Sequence, residues 1–223
     1  MNTLLHQYSS DTKAERLLIY FTGWGTTPEV VGHLSVPEGW DYLTCWDYTT
    51  LKDGDLPDLS QYRKVIVVAW SMGVWAADKL AHLFPEDTYG VAINGTPLPM
   101  HNDYGIPDLI FQGTLDGLND ENRARFDRRM CGGKSLLALY QSFSARSTDD
   151  LRDELLSVYE QVKGLDASTP SLAWRKAYVG TKDLIVPPDN QTNYWSRFDT
   201  EVRILDGIGH YPFTLFATWD EVL

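Results

Sequence analysis

Apolar positions along the chain gather in short unbroken runs. Arg16–Phe21 (RLLIYF), Lys64–Ala69 (KVIVVA) and Gly90–Asn94 (GVAIN) are compact and rich in β-branched or aromatic residues. Runs without a polar residue at every second place suit strands buried on both faces, as in a parallel sheet. Tyr42–Asp47 (YLTCWD), Lys176–Gly180 (KAYVG) and Glu201–Leu205 (EVRIL) supply further strand candidates. Between strands the pattern turns helical. Met72–Phe84 (MGVWAADKLAHLF) predicts a helix stopped by Pro85, and Pro212–Leu223 predicts a closing helix. The proline sits near that helix's first turn, where a missing N–H costs nothing. Strands alternating with helices predict βαβ units and an open, mostly parallel sheet, hence an α/β fold.

From about Met100 to Thr169 that rhythm stops. Asn119–Met130 and Thr148–Lys163 carry helical patterns, and no strand pattern lies among them. The expected organisation is a core made of residues 1–99 and 170–223, with residues 100–169 as a helical lid or cap over one end of the sheet.

Composition narrows the function classes. A chain of 223 residues with 43% hydrophobic residues can bury a substantial core in one domain. Eight tryptophans suit the lining of an apolar pocket as well as core filling. A formal net charge of −12 argues against nucleic-acid binding, which needs a basic face. Cys45 and Cys131 match no metal or redox spacing and read as free structural thiols of a cytosolic protein. The N-terminal sequence lacks the pattern of a signal peptide, and no window approaches the ~18 apolar residues of a membrane span. A soluble, cytoplasmic protein is expected, with a monomer favoured. No grouping of His, Asp and Glu has metal-ligand spacing, so neither metal nor cofactor is expected.

Ser71 follows the buried run VIVVAW and opens a helical pattern. That is the context of a nucleophile elbow, a strand-to-helix turn so tight that the residues two places either side must be small. They are Ala69 and Gly73, giving A-x-S-x-G. A bare N-cap serine is the simpler alternative. A tetrahedral intermediate needs two preorganised donors for its oxyanion. The Met72 N–H, next to the nucleophile, is one candidate. The other is the Trp24 N–H, in the Phe21-Thr22-Gly23-Trp24-Gly25 loop after the first core strand. The side chains of Trp24 and Trp70 are expected to line the acyl site.

The base must follow the last strand. His210 lies in GIGHYPF, just past EVRIL, whereas His6, His33, His82 and His101 fall in other contexts. For the acid, Asp183 stands in a loop beyond KAYVG, with Asp189 and Asp206 as alternatives. The order Ser71, Asp183, His210 is that of an α/β-hydrolase triad.

These residues sit in segments that resemble the BioG-type pimeloyl-[acyl-carrier protein] methyl ester esterases. The likeness lies in FTGWG (21–25), AWSMGVWAA (69–77), AINGTPLP (92–99), YGIP (104–107), FQGTLDGL (111–118) and GIGHYPF (207–213), and runs nearly end to end. The resemblance implies an α/β-hydrolase fold and a Ser-His-Asp acyl-enzyme mechanism. It also implies hydrolysis of the methyl ester on pimeloyl-acyl carrier protein, the step that releases a biotin precursor.

An acidic carrier protein would need a basic surface on this acidic chain. Between Glu121 and Lys134, the cations Arg123, Arg125, Arg128, Arg129 and Lys134 outnumber two acids, a local net charge of +3. Arg125, Arg128 and Arg129 share one helical face and are candidates for docking the carrier, with Arg123 beside them. A solvated helix pairing with its own acids, such as Glu121 with Arg125, is the alternative. A broader short-acyl esterase or thioesterase, or a non-catalytic module on this scaffold, are the other functions weighed.

Overall fold

The structure, a computed structural model, describes residues 1–9, 14–166 and 169–223. Positions 167 and 168, at the end of the expected 100–169 insertion, lie outside the described residues. Seven strands form one sheet: β1 (Asn2–His6), β2 (Arg16–Phe21), β3 (Asp41–Trp46), β4 (Lys64–Trp70), β5 (Tyr89–Ile93), β6 (Ala173–Gly180) and β7 (Glu201–Leu205). Their spatial order is β1-β3-β2-β4-β5-β6-β7. Every neighbouring pair runs parallel except β1 with β3.

The unbroken apolar runs have a direct physical meaning here. Leu17, Ile19, Phe21, Val65, Val67 and Ala69 pack into the core on one face of the sheet. Their neighbours Leu18, Tyr20, Ile66, Val68 and Trp70 pack into a second core on the other. Successive side chains in a strand point to opposite faces, so a sheet covered on both sides requires apolar residues at every place. This is the expected α/β-hydrolase arrangement, a mostly parallel sheet flanked by helices.

The first face is covered by α1 (Met72–Lys79) and, farther along, by α6 (Pro188–Trp195), with Trp75, Tyr194 and Trp195 buried in its core. Between β5 and β6 come four helices: α2 (Asp108–Asp116), α3 (Asp120–Cys131), α4 (Lys134–Tyr140) and α5 (Thr148–Val162). Asn119 caps α3 and Ser147 caps α5, each accepting a backbone N–H of the first turn with its side chain. The α5 stripe Leu151, Leu155, Val158 and Val162 is buried in the first core, with the spacing of one helical face.

Three elements differ from the sequence expectation. His6 belongs to a strand the sequence does not predict, β1, and pairs with Tyr42. The strand alternates half-buried and exposed residues at the sheet edge, so it carries no apolar run. The helix after Ser71 stops at Lys79, and a separate 3-10 turn, Ala81–Leu83, follows. The segment after Pro212 forms two 3-10 turns, Phe213–Leu215 and Trp219–Glu221, rather than a helix. Its backbone is engaged elsewhere: the Ser35 N–H donates to the Ala217 carbonyl (3.1 Å) and the Trp219 N–H to that of Ser35 (3.1 Å). Those tertiary bonds stretch the segment over the second core, where Phe213, Trp219 and Val222 are wholly buried.

Candidate active site

The carboxyl ends of the parallel strands β2, β4, β5, β6 and β7 open onto one rim, the place where ligands bind in open α/β sheets. Ser71 sits at the end of β4 with φ 55° and ψ −123°, a conformation that a non-glycine residue adopts only under constraint from its surroundings. The turn explains its small neighbour. A Cβ on Gly73 would stand 2.5 Å from the carbonyl oxygens of Phe21 and Thr22, so the helix could not seat against β2 with any larger residue.

The Ser71 hydroxyl lies 2.8 Å from Nε2 of His210, and Nδ1 of His210 lies 2.8 Å from Oδ2 of Asp183. Both the imidazole and the carboxylate are buried. Asp183 is held from four sides. Its Oδ1 accepts the backbone N–H groups of Ile185 (2.8 Å) and Val186 (3.0 Å), and its Oδ2 accepts the Gln191 amide (3.0 Å) besides the histidine. The alternatives lie elsewhere. Asp206 accepts the Thr181 hydroxyl, and Asp189 belongs to the first turn of α6. His82 pairs with Asp53 at the surface, His33 contacts the Phe213 carbonyl, and His101 accepts the Asp103 N–H.

Two side chains fix the histidine's backbone. The Trp70 indole N–H donates to the His210 carbonyl (2.8 Å), and the Asn94 amide donates to the carbonyls of Gly209 (3.0 Å) and His210 (2.9 Å). Asn94 also accepts the Gly180 N–H (2.8 Å), tying the His210 loop to the strand that leads to Asp183. Its own φ is 45°, a left-handed conformation that asparagine tolerates better than most residues. The sequence points to AINGTPLP without assigning Asn94 a task, and it gives Gln191 no distinguishing mark.

Opposite the relay stands the loop after β2. Trp24 and Met72 border the same cavity as Ser71 and His210. Met72 opens α1, where first-turn N–H groups have no intrahelical acceptor and the helix dipole favours negative charge. The Trp24 indole N–H donates to the Leu151 carbonyl (3.0 Å), and its ring meets Phe126 edge-on at 5.1 Å. Thr22 and Gly23 are anchored through their carbonyls by the hydroxyls of Tyr48 (2.7 Å) and Thr26 (2.7 Å). Gly25 has φ +72°, and the Leu151 side chain sits 3.0 Å from where a Cβ would be.

Half of the residues lining the cavity come from the stretch between β5 and β6. Ile106, Phe111, Phe126, Met130 and Leu155 make it apolar, joined by Trp70 and by Ile185 of the opposite rim. At its mouth Ile110 and Leu184 are exposed, and Arg129 borders both this cavity and an adjoining groove between α2 and α3.

The four candidate docking arginines are not equivalent. Arg123 turns inward, donating to the Arg146 carbonyl (2.6 Å) and approaching the Thr148 hydroxyl (3.4 Å). Arg125 is exposed and pairs with Glu121, one turn before it. Arg128 and Arg129 are exposed in the last turn of α3.

A further charged group lies deeper. Glu154 occupies the apolar face of α5 and is wholly buried. Its carboxylate accepts the N–H of Gly25 (3.2 Å), the N–H of Tyr48 (2.9 Å) and the guanidinium of Arg146 (2.6 Å), which also reaches Asp47 at 3.2 Å. Burial pushes the Glu154 carboxyl above its ordinary range, and Arg146 and the Tyr48 N–H pull against that shift. An acid inside the Leu151–Val162 stripe is visible in the sequence; its backbone partners Gly25 and Tyr48 are not, because they lie 129 and 106 residues away.

Comparison with known proteins places the chain. A family model described as Pimeloyl-ACP methyl esterase BioG matches residues 4–222. The crystal structure of BioG from Haemophilus influenzae superposes with a TM-score of 0.90 at 38% identity, covering 100% of this chain and 99% of that one. A protein of Haemophilus influenzae described as uncharacterized is 40% identical over 209 residues, 94% of each chain. A malonyl-[acyl-carrier protein] O-methyltransferase of Bacteroides fragilis is 39% identical over 199 residues, which make up 87% of this chain but only 39% of that protein. A lipase-esterase related protein from Clostridium acetobutylicum shares the fold at 14% identity, with a TM-score of 0.66.

Proposed function

The chain belongs to the Pimeloyl-ACP methyl esterase BioG family, and on that premise we propose that it cleaves the methyl ester of pimeloyl-acyl carrier protein with Ser71 as nucleophile. The observation that carries the mechanism is the unbroken relay from Asp183 through His210 to Ser71, with both spacings at 2.8 Å, opening into an apolar cavity.

The steps assign each of these residues a role. His210 Nε2 takes the Ser71 proton as the serine oxygen adds to the ester carbonyl. Asp183 keeps the imidazole in the tautomer that accepts at Nε2 and stabilises the imidazolium that forms. The Trp24 and Met72 N–H groups receive the oxyanion. On collapse the methoxide leaves as methanol, carrying the proton from His210. Water then gives a proton to His210 and adds to the acyl-enzyme, and Ser71 departs with that proton. One water is consumed, and the carrier-bound acyl chain is left with a free carboxylate. The apolar wall suits the methylene chain of the substrate.

The partner reading rests on charge. Arg125 and Arg129 line the groove beside the cavity, and Arg128 is exposed on the same helix, so α3 offers positive charge on an acidic chain, which suits an acidic carrier protein. The Bacteroides relative is named for adding a methyl group to an acyl-carrier-protein substrate, the chemical counterpart of the removal proposed here. A cytoplasmic location and action as a monomer belong to the same reading; the two buried free cysteines agree with a reducing compartment. Among the described residues no helix is long and apolar enough to cross a membrane.

The test is release of methanol from pimeloyl-acyl carrier protein methyl ester by wild type and Ser71→Ala, with p-nitrophenyl butyrate alongside. Wild type should strongly prefer the carrier substrate, and Ser71→Ala should lose about a millionfold in kcat on both. Cleavage of the small ester alone leaves a general short-acyl esterase and removes the carrier assignment. An active Ser71→Ala overturns the mechanism.

A further inference from the structure

The loop that carries the Trp24 N–H is bound to the sheet on one side and to α5 on the other. Two of its three ties to α5 come from backbone and packing: the Trp24 indole on the Leu151 carbonyl, and the Leu151 side chain against Gly25. The third is the Glu154 carboxylate. Burying a carboxylate costs several kcal/mol unless hydrogen bonds and an opposite charge offset the loss of water. An apolar residue of similar size would continue the α5 stripe without that cost. What it could not do is accept the N–H groups of Gly25 and Tyr48 together, which Glu154 does through its two separate oxygens.

We propose that Glu154 is a positioning residue for the oxyanion loop, holding Gly25, and through it the adjacent Trp24 N–H, at the place where the tetrahedral oxygen forms. The inference rests on the serine-esterase reading above and deepens it. Gly25 follows Trp24 directly, so the Glu154 bond fixes the peptide plane immediately after the proposed donor. Tyr48 closes the arrangement from the sheet side. Its N–H is held by Glu154, and its hydroxyl holds the Thr22 carbonyl two residues before Trp24. Arg146 supplies the opposite charge and spans from Glu154 to Asp47, which stands next to Tyr48. One carboxylate on the helical segment thus governs both ends of the loop. The triad receives no bond from it, and this separates its effect from a general loosening of the site.

Glu154→Gln and Glu154→Ala, compared with wild type on p-nitrophenyl butyrate and on the carrier-bound methyl ester, test the proposal. Active sites are counted by burst titration so that rates refer to competent enzyme. Glutamine fills the same space but offers one acceptor oxygen where two are needed. We expect kcat to fall about 10- to 100-fold in Glu154→Gln, as for a donor displaced from its productive position. KM should stay within roughly threefold, because the ground-state ester does not depend on the oxyanion donors. Butylboronic acid, which forms a tetrahedral adduct on the serine, should lose affinity by the same factor as kcat. Glu154→Ala should show the larger loss of the two. Wild-type kcat and boronate affinity in Glu154→Gln would overturn the proposal, as would a loss confined to KM. If Glu154→Ala does not fold, Glu154→Gln decides; if neither folds, the residue serves the fold and the proposal fails. Ser71→Ala is run in parallel. Its retaining activity would overturn the underlying reading, whereas a dead Ser71→Ala beside a fully active Glu154→Gln overturns only this inference.

Discussion

The proton relay and the loop facing it are held in place by different parts of the molecule. The groups that fix the relay come from strand ends of the sheet and the loops leading off them, joined by Gln191 of α6, which lies between β6 and β7. Trp70 ends β4, Asn94 follows β5, Asp183 follows β6, and His210 follows β7. Among the described residues their mutual bonds pass through nothing in the four helices between β5 and β6, except that Met130 and Cys131 pack nearby. The Trp24 loop starts on the sheet as well, but α5 grips it through Leu151 and Glu154, and α3 touches it through Phe126. The difference teaches that, under the mechanism proposed, proton transfer and oxyanion stabilisation would have separate mechanical supports in one site. The hydrogen bonds of Ser71, His210 and Asp183 are made without the helical segment, whereas those of the Trp24 loop include it.

That contrast can be pressed from the sheet side first, where the largest effect lies. Asp183→Asn keeps the shape of the acid but favours the wrong imidazole tautomer, and should lower kcat about 10⁴-fold with KM little changed. A drop of less than about tenfold, read in steady-state kinetics, would mean that the relay draws its orientation from elsewhere.

Next comes Asn94→Ala. It strands the Gly180 N–H and the carbonyls of Gly209 and His210, and it forces alanine into a left-handed conformation. Leaving buried polar groups unpaired costs about 1–3 kcal/mol, so thermal unfolding should come roughly 4–8 °C earlier for a loss near 2 kcal/mol. A small fall in KM-independent activity with no change in melting temperature would place the role of Asn94 in chemistry alone.

At the exposed arginines of α3 the effects should fall on binding. Replacing Arg128 and Arg129 together by glutamate should raise KM for the carrier-bound substrate about tenfold at low ionic strength, and the difference should shrink as salt screens the charges. Hydrolysis of p-nitrophenyl butyrate should hold steady. An equal loss on the small ester would mean that these arginines act through the cavity wall, which Arg129 borders, rather than by docking a carrier.

The smallest effect is a labelling difference between two thiols. Burial pushes the Cys45 thiol up, and pushes that of Cys131 up to about 12, so neither should react with iodoacetamide in the native protein. Cys45 lies in β3 and Cys131 ends α3. If the helical segment opens before the sheet, Cys131 should label first in sub-denaturing urea, followed by mass spectrometry. Simultaneous labelling would mean that the two regions unfold as one.

Legibility in the sequence followed the range of the interaction concerned. The strands β2, β4 and β5 are readable because burial on both faces writes itself as an unbroken apolar run. Ser71 and His210 are readable because their local contexts, a strand and a tight turn or a strand and a glycine loop, are contiguous. The edge strand β1 is not, since a half-exposed strand needs no apolar run and its pairing with β3 lies 40 residues away. Trp219 misleads: its apolar neighbours suggest a helix, while the backbone bonds that flatten the segment come from Ser35. Asn94 and Glu154 act on atoms far along the chain, and Gln191 reaches Asp183 across a turn into α6; nothing beside them in the sequence announces it. Arg123 shows the same limit from the other direction, for its charge counts toward a surface patch in sequence but points into the fold in space.

The division of β2 and β4 between two cores carries a consequence for how this chain can change over generations. Because Val65, Val67 and Ala69 face one layer and Ile66, Val68 and Trp70 the other, deletion of a single codon in β4 would exchange the two sets. Trp70 would swing away from the His210 carbonyl and the serine turn would leave its seat against β2 in the same event. A one-residue change in strand length thus becomes a lesion in both packing and the site. The connections among α2, α3 and α4 carry no such phase, and lengths there are free to drift. Lineages of this enzyme should therefore keep the spacing between Lys64 and Gly73 invariant while they gain and lose residues around Gly132 and Gly133.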